Sequence, residues 1–161
     1  MDLENPLWQY AKALYSQPGV EQCCLQLQDQ GAVINRLLFA CWLAYRGVRL
    51  TPQRMQQLPD EWHLEVVQPL RAVRYRVRSQ LRRMPEAERC YRALCQAELT
   101  AEQLELMQLW QLSRGWAPEA AADQTLLQQN MKQVLGDERD RPDGGLLSQL
   151  VLAAMTLLAG D

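Results

Sequence analysis

The stretch Gln30–Leu50, QGAVINRLLFACWLAYRGVRL, constrains the fold more than any other part of the chain. Between Ala32 and Tyr45 only Asn35 and Arg36 are polar. Ile34, Leu37, Leu38, Cys41 and Tyr45 recur at helical spacing, and Phe39 and Trp42 widen the apolar arc to almost the whole circumference. A helix that is apolar on nearly all sides either sits inside a bundle or spans a bilayer. At about 1.5 Å per residue this segment reaches roughly 21 Å, short of a ~30 Å hydrocarbon core. It is therefore expected to be the central helix of a bundle, stopped by Gly47 in a left-handed conformation.

The remaining segments pattern as helices around it. Asn5-Pro6 is a helix start, with a capping side chain followed by proline at the first helical position. A second helix is expected from Val20 to Asp29, and a short one is capped by Thr51-Pro52 and ends near Leu58-Pro59. A long helix follows Asp60, from about Glu61 to Met84, with an amphipathic stripe of Leu70, Val73, Val77, Leu81 and Met84. Pro69 removes one backbone donor inside it and should kink or break it. Glu86 to about Trp110 is expected to be helical, in one piece or in two, with Thr100 and Gln103 as the capping box that would restart it. Helices over Pro118–Leu135 and Leu146–Ala159 complete the chain, with the polar, glycine-containing run 137–145 between them expected to be a mobile loop. The expected fold is all-α: one domain over residues 1–161, a compact bundle of about seven to eight helices.

Charge and cysteine usage restrict the setting. The formal net charge of -2 gives no global attraction to nucleic acid or to anionic membrane, so any electrostatic role must come from local clustering. Five cysteines are an odd number and contain no CxxC pair. The opening MDLENPLW has two acids, no basic residue and no apolar run, unlike a secretory leader. A reduced, cytoplasmic location is expected.

Several stretches taken together carry a family resemblance. They are Leu7-Trp8-x-Tyr10-Ala11, Tyr15, Pro18-Gly19-Val20, Leu25-x-Leu27-Gln28-Asp29, Asn35-x-Leu37-Leu38-Phe39, Trp42-Leu43, Trp62 and Val66-Val67-x-Pro69-Leu70-Arg71. Their order and spacing resemble an uncharacterised proteobacterial family of about 160 residues, a domain of unknown function with no assigned activity. The resemblance covers roughly the first half of the chain. It implies a bacterial cytoplasmic helical protein and brings no catalytic residues, cofactor or substrate.

Three features could carry a function. From Arg71 to Arg83 there are six arginines and no acid, and Arg71, Arg74, Arg78 and Arg82 share one ridge. Arginine makes bidentate contacts to phosphate and carboxylate. The ridge is read either as a solvated face neutralised by Glu98, Glu102 or Glu105 of a neighbouring helix, or as a surface for an anion or a protein partner. No recognised nucleic-acid motif accompanies it, so specific base readout is not expected. Asn35 is read as a structural amide holding helix register, or as the polar contact of a small pocket with Trp42 and Tyr45. The apolar C-terminal helix, Leu146–Ala159, is either wrapped by the bundle or offers a surface for a homodimer or another partner.

Catalytic chemistry finds no anchor. GxSxG, HExxH and phosphate-cradling glycine loops are absent from the sequence, and the carboxylates read as scattered over polar faces. The single histidine, His63, lacks a second ligand motif, so neither metal nor cofactor is expected, and a place at the bundle edge is its simplest reading. The sequence therefore points to a non-enzymatic interaction or regulatory protein using the arginine face or the C-terminal helix. The alternative is a small helical enzyme or ligand-binding protein with a pocket at the central helix.

Overall fold

The computed structural model describes residues 2–136 and 142–160. Among these there are eight α-helices and no strand: α1 Pro6–Tyr15, α2 Val20–Asp29, α3 Ile34–Tyr45, α4 Pro52–Met55, α5 Gln68–Gln80, α6 Glu88–Ser113, α7 Gln124–Leu135 and α8 Gly144–Ala159. The bundle is all-α and compact. Helix α3 is its axis, with Ile34 and every residue from Leu37 to Ala44 buried. It is flanked by α1, α2, α6 and α7, and α8 closes the assembly over α1, α2 and α7.

Local chemistry sets most of the boundaries. The Trp8 N–H donates to Asn5 Oδ1 at 3.0 Å, and the Arg54 N–H to Thr51 Oγ1 at 3.2 Å, which starts α1 and α4 as expected. Gly47 has φ +71°, and its carbonyl accepts the N–H groups of Glu119 and Ala120. A Cβ at this position would lie 2.6 Å from the Ala120 carbonyl oxygen, so glycine serves both the turn and the close approach of the 118–120 loop.

Four expectations are corrected. Helix α7 begins at Gln124 rather than Pro118, because Asp123 Oδ1 accepts the Leu126 N–H at 2.9 Å and caps the helix there. Helix α6 runs unbroken through Thr100, whose hydroxyl donates back to the Gln96 carbonyl at 3.0 Å instead of capping a new helix. Pro69 does not break the chain's helical path. A π turn, His63–Val67, lies directly before it, and the Gln68 N–H reaches back to the His63 carbonyl. Widening that turn makes room for the proline ring. The stripe from Leu70 to Met84 is not inward throughout, and its last two members lie beyond the end of α5: Leu70, Val77 and Leu81 are half-buried, but Val73 and Met84 are exposed.

The last loop divides between two cases. Residues 137–141 of the expected mobile loop lie outside the described residues, whereas Gly144 and Gly145 already belong to the first turn of α8. The apolar side of α8 is covered in part: Leu150, Val151 and Ala154 are buried, Leu146, Leu147, Met155 and Leu157 are half-buried, and Leu152 stands out at 69% exposure. No helix among the described residues is long and apolar enough to cross a membrane.

Candidate functional site

Helices α5 and α6 pair antiparallel-fashion as a hairpin, and from Gln68 to Ala97 none of its residues is buried. Burial resumes at Glu98, where the hairpin enters the body of the protein. The junction is a charged seam between α3, the π turn, α5 and α6.

Glu98, Glu102 and Glu105 are spaced four and three residues apart on α6, so all three share one helical face. Glu105 is only 2% exposed. Its Oε2 accepts the Asn35 amide at 2.6 Å and its Oε1 lies 2.9 Å from His63 Nδ1. The Asn35 amide also donates to the Glu102 carbonyl at 3.2 Å, and Trp62 Nε1 donates to the Ala101 carbonyl at 2.9 Å. Asn35 thus has the backbone partner expected of a structural amide, together with a buried carboxylate.

One turn outward, Arg71 Nε donates to Glu98 Oε1 at 2.8 Å and Arg71 Nη2 to Glu102 Oε1 at 2.6 Å. Arg74 Nε donates to Glu98 Oε2, so Glu98 is held by two guanidinium groups. Across the seam Arg36 pairs with Asp60. Burial raises the Glu102 pKa above the usual carboxylate range, with Arg71 opposing the rise only in part.

Two cavities meet here. A chamber of about 30 Å³ is walled by Asn35, His63, Arg71, Glu102, Glu105 and Tyr15, among others. It is large enough for a water-sized group. A groove of about 200 Å³ runs outward between α1, α3 and α6, lined by Trp8, Ala11, Tyr15, Leu38, Leu99 and Leu106 with Asn35 and Glu102 at its inner end. Among the described residues no cluster of three or more His, Cys, Asp or Glu side chains could hold a metal ion.

The structure separates the arginines that the sequence grouped. Arg71 and Arg74 are turned inward and neutralised by Glu98 and Glu102. Arg78 and Arg82 are exposed, as are Arg76 and Arg83, with no ion pair among the described residues. Asn35 lines both cavities, but Trp42 and Tyr45 lie elsewhere. The Trp42 ring stacks beside Phe39 and under the Arg46 guanidinium, and Tyr45 packs on Tyr10. About two helical turns separate Asn35 from Trp42, with the fully buried Phe39 between them, and the two side chains serve different interfaces.

His63 is not at the edge: it is 7% exposed and faces Glu105. The pairing of Arg71 and Arg74 with Glu98 and Glu102 follows the neutralised-face reading of the sequence, whereas the contact of Glu105 with Asn35 and His63 was not anticipated. The regular spacing of the three carboxylates on α6, matched by Arg71 and Arg74 on the preceding helix, is the pattern that would have exposed the seam.

A search of curated proteins and a search of solved structures each returned no match. A family model does match, over residues 6–109. That span takes in α1 to α5 and most of α6, further than the half-chain resemblance in the sequence, and it contains the whole seam and the hairpin. The chain belongs to the family described as Protein of unknown function (DUF2390).

Proposed function

We propose that this is a non-enzymatic, cytoplasmic interaction protein that docks an acidic protein surface on the outer part of the α5–α6 hairpin. One observation carries the reading: a helical hairpin with no buried residue from Gln68 to Ala97 holds eight arginines against two glutamates. The hairpin is therefore +6 and the rest of the chain -8, within a total of -2. Of the arginines, Arg71 and Arg74 are neutralised from inside and Arg92 pairs with Glu88. Arg76, Arg78, Arg82, Arg83 and Arg89 remain exposed.

Apolar side chains stand among these charges. Val73 is 43% exposed, Tyr75 and Met84 are also exposed, and Val66, Pro69, Leu70, Val73 and Leu94 line a shallow groove of about 320 Å³. Interfaces between proteins combine such apolar centres with arginine, whereas a bare polyanion is held by charge alone. The free thiols Cys23, Cys24, Cys41, Cys90 and Cys95 support a reducing compartment. A homodimer through Leu146–Ala159 is the second reading, since Leu152 is exposed and Leu147, Val151 and Leu152 border an open groove against α7.

The test is retention on immobilised poly-glutamate, heparin and anionic vesicles across a salt series, for the protein and for R76Q/R78Q/R82Q/R83Q. All four residues are exposed, so the variant should fold. The proposal expects the protein to be held by poly-glutamate at low salt, the variant to be released, and salt to weaken the contact as the Debye length shrinks. Retention by heparin or vesicles alone would move the reading to phosphate-type polyanions. No retention of either protein at low salt would refute it.

A further inference from the structure

We propose that two copies of this chain pair through α8, antiparallel, about a two-fold axis at Leu152. The pairing rests on the homodimer reading of Leu146–Ala159 and adds an axis and a register to it. Helix α8 carries no charged residue from Gly144 to Ala159, although Gly145, Ser148, Gln149, Leu152, Thr156 and Ala159 are all exposed. Leu152, at 69%, is the most exposed large apolar side chain among the described residues. A surface helix that meets only water ordinarily carries charge on its outer side. A face without charge meets a copy of itself without like-charge repulsion, and antiparallel helices bring opposite ends of their dipoles together.

The outer face matches itself in shape. Leu152 is at the middle of α8, and the exposed positions lie about it at three, four and seven residues on either side. A two-fold axis there makes residue i meet residue j and j meet i. Along the centre of the face Leu152 meets its own copy and Gly145 meets Ala159. On one flank Ser148 meets Met155, and on the other Gln149 meets Thr156. Each flank contact sets a short side chain against a long unbranched one, and the centre line is small on both sides of its leucine, so the two helices approach closely. The Ser148 hydroxyl donates to the Gly144 carbonyl at 2.8 Å and the Thr156 hydroxyl to the Leu152 carbonyl at 3.0 Å. Both donors are satisfied within the helix, which lowers the cost of covering them.

The surroundings and the area suit a weak dimer. An open groove of about 730 Å³ separates α8 from α7, lined by Met131, Leu147 and Val151, with Lys132 its one charged side chain among the described residues. The sixteen residues of α8 span about 24 Å, and with the bordering wall of α7 the face covers at most roughly 500 Å² on each copy. That is just below the ~600 Å² per partner of the smallest stable interfaces, so the dimer is concentration-dependent.

Sedimentation velocity of the full chain over a concentration series should show a monomer–dimer equilibrium. Leu152→Glu should weaken it at least about tenfold by placing two carboxylates together at the axis. The register is read by disulfide crosslinking in a Cys90→Ser background, which removes the exposed native thiol. Leu152→Cys should crosslink with its own copy. Gln149→Cys and Thr156→Cys should each fail alone, because like positions stand about 9 Å and about 12 Å apart along the helices, beyond the ~7 Å reach of a disulfide. The two proteins should crosslink when mixed. A chain that stays monomeric up to about 1 mM would overturn both the pairing and the homodimer reading, as would a dimer indifferent to Leu152→Glu. A dimer in which Gln149→Cys and Thr156→Cys each crosslink alone would be parallel; that would overturn the axis at Leu152 and leave the homodimer reading standing. A monomer that adsorbed to neutral phosphatidylcholine vesicles would give the face to a lipid surface and overturn the pairing. Sedimentation of the unaltered protein decides between monomer and dimer even if a variant fails to fold.

Discussion

Asn130→Leu tests how this bundle holds its central turn. Asn130 is 1% exposed and bridges α7 to the turn after α3. Its Nδ2 donates to the Val48 carbonyl at 2.9 Å and to the Ala40 carbonyl at 3.3 Å, and its Oδ1 accepts the Leu50 N–H at 2.8 Å. Leucine has nearly the same shape and none of these bonds. Ala40 lies inside α3 and keeps its helical partner, but the Val48 carbonyl and the Leu50 N–H are left buried without their amide. Each such group costs about 1–3 kcal/mol. The added apolar burial returns about 1–2 kcal/mol. The net loss should be about 1–4 kcal/mol, which for a chain of this length lowers the melting midpoint by about 2–16 °C. Urea denaturation followed by circular dichroism gives the loss directly, with an unchanged slope showing that the unfolded state is the same. A loss below about 1 kcal/mol would refute the reasoning, since it would mean that the turn reorganises or admits water at no cost. Asn130→Asp is the companion variant: its carboxylate meets two carbonyl oxygens, so its deficit should shrink as the pH falls and the added acid is protonated.

The remaining predictions concern the seam and the thiols. Asn35→Leu removes one donor from buried Glu105 and should cost about 1–3 kcal/mol by thermal denaturation; an unchanged or raised midpoint would leave Asn35 without a structural role. Because Glu102 binds its proton more tightly in the folded state, it lowers stability as the pH rises from below 4.5 through its raised native pKa. Stability of the protein relative to Glu102→Gln should therefore fall with pH across that window, and a flat or rising difference would contradict the assignment. Burial pushes the Cys24 thiol up to about 11 and that of Cys41 up to about 12, whereas Cys90 is exposed. Brief alkylation of the native protein at pH 8 with peptide mapping should label Cys90 and spare Cys24 and Cys41. Equal labelling of all three would show that the core opens on the timescale of the reaction.

The sequence by itself determined the helices and the identity of the axis. Pro6, Thr51 and Gly47 act through their own backbone restrictions and caps, and an apolar surface wrapped fully round Leu37–Ala44 has no stable place except the interior. Where competing local choices existed, the backbone decided: Asp123 outcompeted Pro118 as a helix start because its carboxylate caps an N–H, and Thr100 had an existing helix to bond back to. The fate of the arginines belongs to the tertiary structure. Arg71 and Arg78 are equivalent in composition and lie on one ridge of α5, yet only Arg71 comes within reach of Glu98 and Glu102. The same holds for Asn35 and His63, which meet only through Glu105, forty-two residues from one and seventy from the other. Helical periodicity records which side of a helix turns inward. It holds no information about how deeply two helices overlap, and that overlap separates a neutralised arginine from an exposed one.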